Sequence, residues 1–164
     1  MIFNRNFIKY WLPLFFWMCL IFWMSTEAFS SPNTFSLIET VLRFLVHEIS
    51  SKEIGLIHAF IRKAGHVIEY FILGLLLFRA FRGASTALWN WRWSLLTVTV
   101  VFLWAASDEF HQSFVPMRTA SIADTGIDTA GGVLSQILSA FWYREKKRQR
   151  DSRISNHGKG RPRC

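Results

Sequence analysis

Apolar side chains gather along the chain into four stretches separated by polar or mixed segments. A hydrocarbon core about 30 Å thick calls for about 20 helical residues, and slightly fewer where flanking side chains reach back to the interface. Residues 10–26 carry no charge and are dominated by Phe, Trp, Leu and Met. Residues 64–81 are apolar apart from His66 and Glu69 near the start and Arg79 near the end. Residues 93–114 are uncharged as far as Ser107 and then carry Asp108, Glu109 and His111; residues 121–143 begin with Asp124 and Asp128 and are uncharged afterwards. The pattern predicts an all-α polytopic membrane protein, a bundle of four transmembrane helices.

The segment between the first two stretches has its own periodicity. Ile38, Val41, Leu42, Leu45 and Ile49 recur at helical spacing opposite Glu39, Arg43 and Glu48, which predicts an amphipathic helix lying on the outer leaflet or capping the bundle as a lid. Ser50 followed three residues later by Glu53 has the form of a capping box, so a second short helix is expected to start there. Residues 1–143 thus form a membrane domain with a helical outer loop, and residues 144–164 a basic cytoplasmic tail expected to be disordered beyond Arg150.

Composition sharpens this picture. Of the 164 residues, 51% are apolar and 16% aromatic against 18% charged, and the net charge of +8 comes almost entirely from the tail. A body so rich in Phe and Trp offers no polar face for a duplex, which excludes nucleic acid as a partner and leaves membrane lipids. Cys19 lies within an apolar run and Cys164 is the last residue, so no disulfide is expected. Arg5, Lys9, Arg79, Arg82, Arg92 and the tail cations fall on one side of a four-span topology, against Arg43, Lys52, Arg62, Lys63 and Arg118 on the other. The positive-inside bias therefore puts both termini in the cytoplasm. Thr26-Glu27-Ala28 faintly resembles a signal cleavage site, but its acidic residue and the Trp/Phe content before it favour retention of the first helix.

Helices that cross in alternate directions bring together the start of the second, the end of the third and the start of the fourth. These ends carry the ionisable residues. Lys63, His66, Glu69 and Tyr70 fall on one stripe of the second helix; Asp108, His111 and Gln112 share a face of the third, with Glu109 offset. On the fourth, Asp124, Asp128, Gly131, Gly132 and Ser135 form a stripe that is polar above and small below, suited to close packing. Ionisable groups at membrane depth each cost about 2.5–3.5 kcal/mol unless they pair or line a wet cavity. Either they share an outward-facing pocket or they flank short helices at headgroup level. Arg118, in the turn before the fourth helix, suits a loop ion pair or the phosphate or carboxylate of a ligand.

Lys63-Ala-Gly-His66-Val-Ile-Glu69-Tyr70, and Ser107-Asp108-Glu109-Phe-His-Gln112 running on to Pro116-Met-Arg118, Asp124, Asp128 and Gly131, resemble the signature blocks of VanZ-like membrane proteins. The resemblance covers Lys63 to about Ser139; Met117 stands where that family commonly has Gly, and Ser135 replaces a frequent second Gly. It implies that Lys63, His66, Tyr70, Asp108, Glu109, Gln112, Arg118, Asp124 and Asp128 are the family's polar, ligand-binding positions. It also implies a bacterial cytoplasmic-membrane protein that lowers susceptibility to teicoplanin-like lipoglycopeptides, its outer pocket recognising such a drug or a lipid-linked wall precursor. The alternative is an intramembrane enzyme acting on such a lipid, with His66, Glu69 and Asp108 as candidate acid/base groups. In a variant of that reading His66, Glu69, Asp108 and His111 ligate a divalent metal. No glycine-rich strand-to-helix turn is present, and no cofactor is expected. Transport would need a polar stripe running through the bundle, whereas residues 73–78 and 96–105 are almost wholly apolar.

Overall fold

A computed structural model describes residues 5–26, 30–46, 48–115 and 121–159, with side chains to residue 154. Among the described residues five helices follow one another: α1 (Arg5–Met24), α2 (Ser31–Leu45), α3 (Ser51–Arg82), α4 (Trp91–Gln112) and α5 (Ile122–Lys159). The all-α expectation holds, and no strand occurs among the described residues. Glu27 and Ala28 of the cleavage-like tripeptide lie outside the described residues, as does Arg118.

The capping box is present as the sequence suggested. Ser50 Oγ accepts from the Glu53 amide at 3.3 Å, and a Glu53 carboxylate oxygen accepts from the Ser50 amide at 2.9 Å. What begins there is not a separate short helix, however. It continues without a break through the second apolar stretch, giving a 32-residue rod of about 48 Å. Replacing Ser50 with Ala is expected to speed amide exchange in the first turn of α3 about fivefold, leaving its middle unaffected; exchange mass spectrometry on residues 52–56 is the measurement.

The rod is the axis of the molecule. Helix α1 runs antiparallel to it: Trp17 Nε1 donates to the Glu69 carbonyl at 3.0 Å, and Arg79 Nη2 to the Lys9 carbonyl at 3.1 Å. Leu14 and Ile21 of α1 meet Tyr70, Leu73, Leu77 and Ala80 of α3 and Val101 and Ala105 of α4 in one buried core. Helix α5 packs tightly on α3 and α4 along the predicted small-residue stripe. A methyl at Gly131 would come within 2.5 Å of the Val67 carbonyl oxygen, one at Gly132 within 2.6 Å of Val101, and one at Gly74 would collide with Ser135 Oγ. Deeper in this seam Gln136 Nε2 donates to the Gly74 carbonyl at 3.1 Å.

Among the described residues two helices, α1 and α3, are long and apolar enough to cross a membrane. The four-span expectation is supported to that extent only. Helix α4 opens with Arg92 and closes with Asp108 and Glu109, while α5 begins with carboxylates and small residues, so both are less apolar than a free-standing span. Many outward-facing residues are nonetheless apolar, including Phe15, Phe16 and Trp23 on α1, Phe102 and Leu103 on α4, and Leu134, Leu138 and Phe141 on α5. At the end holding the start of α1 and the end of α3, cations lie over aromatic rings. Lys9 and Arg79 meet Tyr10, Arg82 meets Tyr143, Arg92 meets Trp91, and Lys146 meets Trp142, at 5.2–5.9 Å.

Helix α2 buries no residue and exposes Leu37, Val41, Phe44 and Leu45. It rests on α3 through His58, whose Nε2 lies 3.0 Å from Thr34 Oγ1 and whose ring meets Phe35 edge-on. The tail departs from expectation. It is helical to Lys159 rather than disordered beyond Arg150, because Arg, Lys, Gln and Glu are good helix formers and local contacts such as Glu145–Gln149 extend α5.

Candidate functional site

The end of α1, the start of α2, the middle of α3 and the end of α4 line a half-open cavity of about 150 Å³, bordered by Ile21, Met24, Ser25, Thr34, Arg62, Gly65, His66, Glu69, Asp108 and Gln112. Arg62, Gly65, His66 and Glu69 follow the i, i+3, i+4, i+7 pattern, so one stripe of α3 forms the wall. Asp108 and Gln112 stand one turn apart on α4, and Gln112 Nε2 donates to Asp108 Oδ2 at 2.8 Å. A second hollow of about 230 Å³, lined by Ser31, His58, Ala59, Arg62, Lys63, His66 and Asp124, adjoins it across Arg62 and His66.

Behind His66 stands Asp128, fully buried on α5. His66 Nδ1 lies 3.1 Å from Asp128 Oδ1, an ion-pair distance, although the approach is too oblique for a hydrogen bond. Distance is the better guide to this pair, since charge attraction depends little on angle. Neither Asp128 oxygen receives a hydrogen bond from the described residues, nor does the Tyr70 hydroxyl, which is fully buried in the field of the same carboxylates. Buried polar groups normally find partners.

The remaining predicted residues divide. Glu109 is buried but does not line the cavity. Its Oε2 accepts from the Ser121 amide at 2.7 Å, just ahead of α5, where a carboxylate favours the helix start. It ties the end of α4 to the start of α5. Lys63 is exposed and borders the second hollow, with Asp124, rather than the first cavity. His111 packs its ring on Phe22 at 4.6 Å, away from the cavity wall. The metal set of His66, Glu69, Asp108 and His111 is therefore not assembled, and among the described residues no group of three or more His, Cys, Asp or Glu is placed to hold a metal.

Sequence reasoning missed Arg62. It lines both hollows and makes no ion pair among the described residues, in a neighbourhood of carboxylates. Its spacing of four from His66 and seven from Glu69 was the available signal, obscured because the residue read as a loop cation. Ser25 and Thr34 were also missed; no motif marks them, and only the folding of α1 and α2 against α3 brings them in.

The family model described as VanZ/LLP1 matches residues 10–143. The chain belongs to the VanZ-like family. No curated protein and no solved structure matches it. The match takes in most of α1, all of α2, α3 and α4, and α5 as far as Tyr143, so every residue of both hollows lies within the VanZ-like region. The basic extension of α5 lies beyond it. VanZ-like proteins are membrane-associated, in keeping with the two apolar helices α1 and α3.

Proposed function

We propose that this VanZ-like protein is a multi-pass protein of the bacterial cytoplasmic membrane that lowers susceptibility to teicoplanin-like lipoglycopeptides. In this reading the paired hollows recognise an amphiphilic ligand, either the drug or a lipid-linked wall precursor. The apolar faces of α4 and α5 support placing both in lipid beside α1 and α3, which gives four spans and both termini in the cytoplasm. Bundling lowers the demand on each helix, since the polar stripes face one another. The observation that carries the reading is the joint lining of one cavity by Arg62, His66, Glu69 and Asp108 together with apolar Ile21 and Met24. Cations there suit a ligand's phosphate or carboxylate, carboxylates its amines and hydroxyls, and the apolar wall its chain.

Losing one charge-assisted contact in such a site weakens binding about tenfold or more. Arg62→Gln is accordingly expected to bring teicoplanin tolerance down to that of cells lacking the protein, at undiminished membrane abundance. The check is drug tolerance alongside quantitative immunoblotting; full tolerance at normal abundance would overturn the reading.

A second reading is favoured by the His66–Asp128 contact, which has the form of a base held by an orienting carboxylate. An intramembrane enzyme would use His66 to move a proton on a lipid-linked substrate, with Asp108 on α4 and Glu69 beside it on α3 lining the same cavity. Purified protein incubated with a lipid-linked wall precursor should then yield a product of altered mass, and His66→Gln should yield none. An unchanged precursor mass with wild-type protein leaves the binding reading standing alone.

A further inference from the structure

At the end of the bundle away from these hollows, a groove of about 500 Å³ runs between the loop joining α3 to α4 and the extension of α5. Arg144, Lys147 and Arg150 line one side at intervals of three residues, so a single face of the helix presents them, with Asp151 the lone acid. Leu88 and Trp89 of the loop and Ile154 of the helix supply apolar surface. The loop wall is fixed in place. Gly83 reverses the chain at φ +52°, Arg82 Nε donates to the Ala87 carbonyl at 3.0 Å, and Trp89 Nε1 donates to Ser94 Oγ at 3.1 Å.

We propose that this groove binds the phosphodiester headgroup of an anionic phospholipid. Depth, charge and shape agree on that occupant. The groove adjoins the aromatic rings and overlying cations that mark a membrane–water boundary, so a headgroup lies at its level without leaving the bilayer. Three cations facing one concavity attract a phosphate that the neighbouring acid only partly opposes. The volume exceeds what a free phosphate needs, and the apolar surface of Leu88, Trp89 and Ile154 suits the glycerol and first acyl carbons. The helical extension of α5 makes this possible, because a disordered tail would not hold three cations on one side. The site does not depend on what the hollows at the other end bind.

The test uses the full-length protein in neutral detergent, with native mass spectrometry measuring affinity for phosphatidylglycerol and for phosphatidylcholine. Wild type should prefer phosphatidylglycerol. Arg144→Gln/Lys147→Gln/Arg150→Gln should reduce that preference at least about tenfold, whereas Lys146→Gln/Arg148→Gln, outside the groove lining, should leave it within about twofold. Should the triple variant fail to accumulate, Lys147→Gln alone, expected to lower the preference about threefold or more, decides the matter. Equal loss in both multiple variants would mean diffuse attraction and overturn the site. Displacement of the lipid by excess inorganic phosphate would assign the groove to free phosphate instead, and absence of any preference in wild type would also overturn it.

Discussion

Gly131→Leu is expected to abolish accumulation of the folded protein. Even the first carbon of a side chain at this position would stand 2.5 Å from the Val67 carbonyl oxygen and 3.2 Å from the Phe71 amide nitrogen. Both are backbone atoms of α3, so no rotamer change relieves the clash and the two helices must separate. Separation undoes the α3–α5 seam, including the Gln136 bond to the Gly74 carbonyl, and takes Asp128 away from His66. Overpacking of a tight core typically costs about 1–3 kcal/mol, and a backbone collision belongs at or beyond the upper end. That is a large share of an ordinary domain's stability. Gly126→Ala on the same helix is the counter-experiment. Nothing lies within 4 Å of a methyl there, and Ala is the better helix former by about 0.5–1 kcal/mol. One glycine substitution should remove the protein while the other leaves or slightly raises its thermal midpoint, measured on detergent-solubilised material. Similar behaviour of the two would show that the seam is looser than its geometry implies.

That stripe was legible in the sequence because its information is local: glycines and a serine at helical spacing below two aspartates have few uses apart from close packing. The convergence of His66, Asp108 and Asp128 was legible for a different reason, since it follows from alternating helix directions. Properties that depend on continuity were harder to see. Nothing in hydropathy distinguishes a short helix at Ser50 followed by a span from a single rod, because backbone hydrogen bonding carries helix α3 through Arg62 and Lys63 without regard to their charge. Arg62 was misplaced with that boundary. Spacing set Glu109 apart from Asp108 but could not show what it holds, and it grouped His111 with Asp108 and Gln112; only the fold shows Glu109 accepting from the amide of Ser121 and His111 packed on Phe22. The helical tail was missed because charge density suggested disorder, whereas its individual residues favour helix.

The pairing of His66 with Asp128 leads to the second large effect, which separates stability from function. His66→Ala would leave a fully buried carboxylate without the cationic or polar neighbour now 3.1 Å away. Removing one member of a buried pair costs about 3–5 kcal/mol, because the other member's desolvation is no longer offset. The single variant should therefore be strongly destabilised. Asp128→Asn has a different effect. The amide keeps the shape of the carboxylate and still offers the imidazole a polar partner, while the charge to be buried disappears, so stability should stay within about 1 kcal/mol of wild type. Combining the two should recover most of what His66→Ala loses, since the orphaned charge is then absent; a coupling of at least about 2 kcal/mol is expected from the cycle. Function should not follow stability. If Asp128 sets the charge and orientation of His66 at the cavity, Asp128→Asn should lose drug tolerance despite being well folded, and the double variant should remain inactive although rescued. Additive destabilisation would mean that the two side chains are near neighbours without energetic coupling. A stable Asp128→Asn protein with full tolerance would assign the pair to packing alone. Both outcomes are readable from four proteins, with thermal unfolding for the cycle and teicoplanin tolerance for the site, because the buried carboxylate is costly to the fold and so calls for a use.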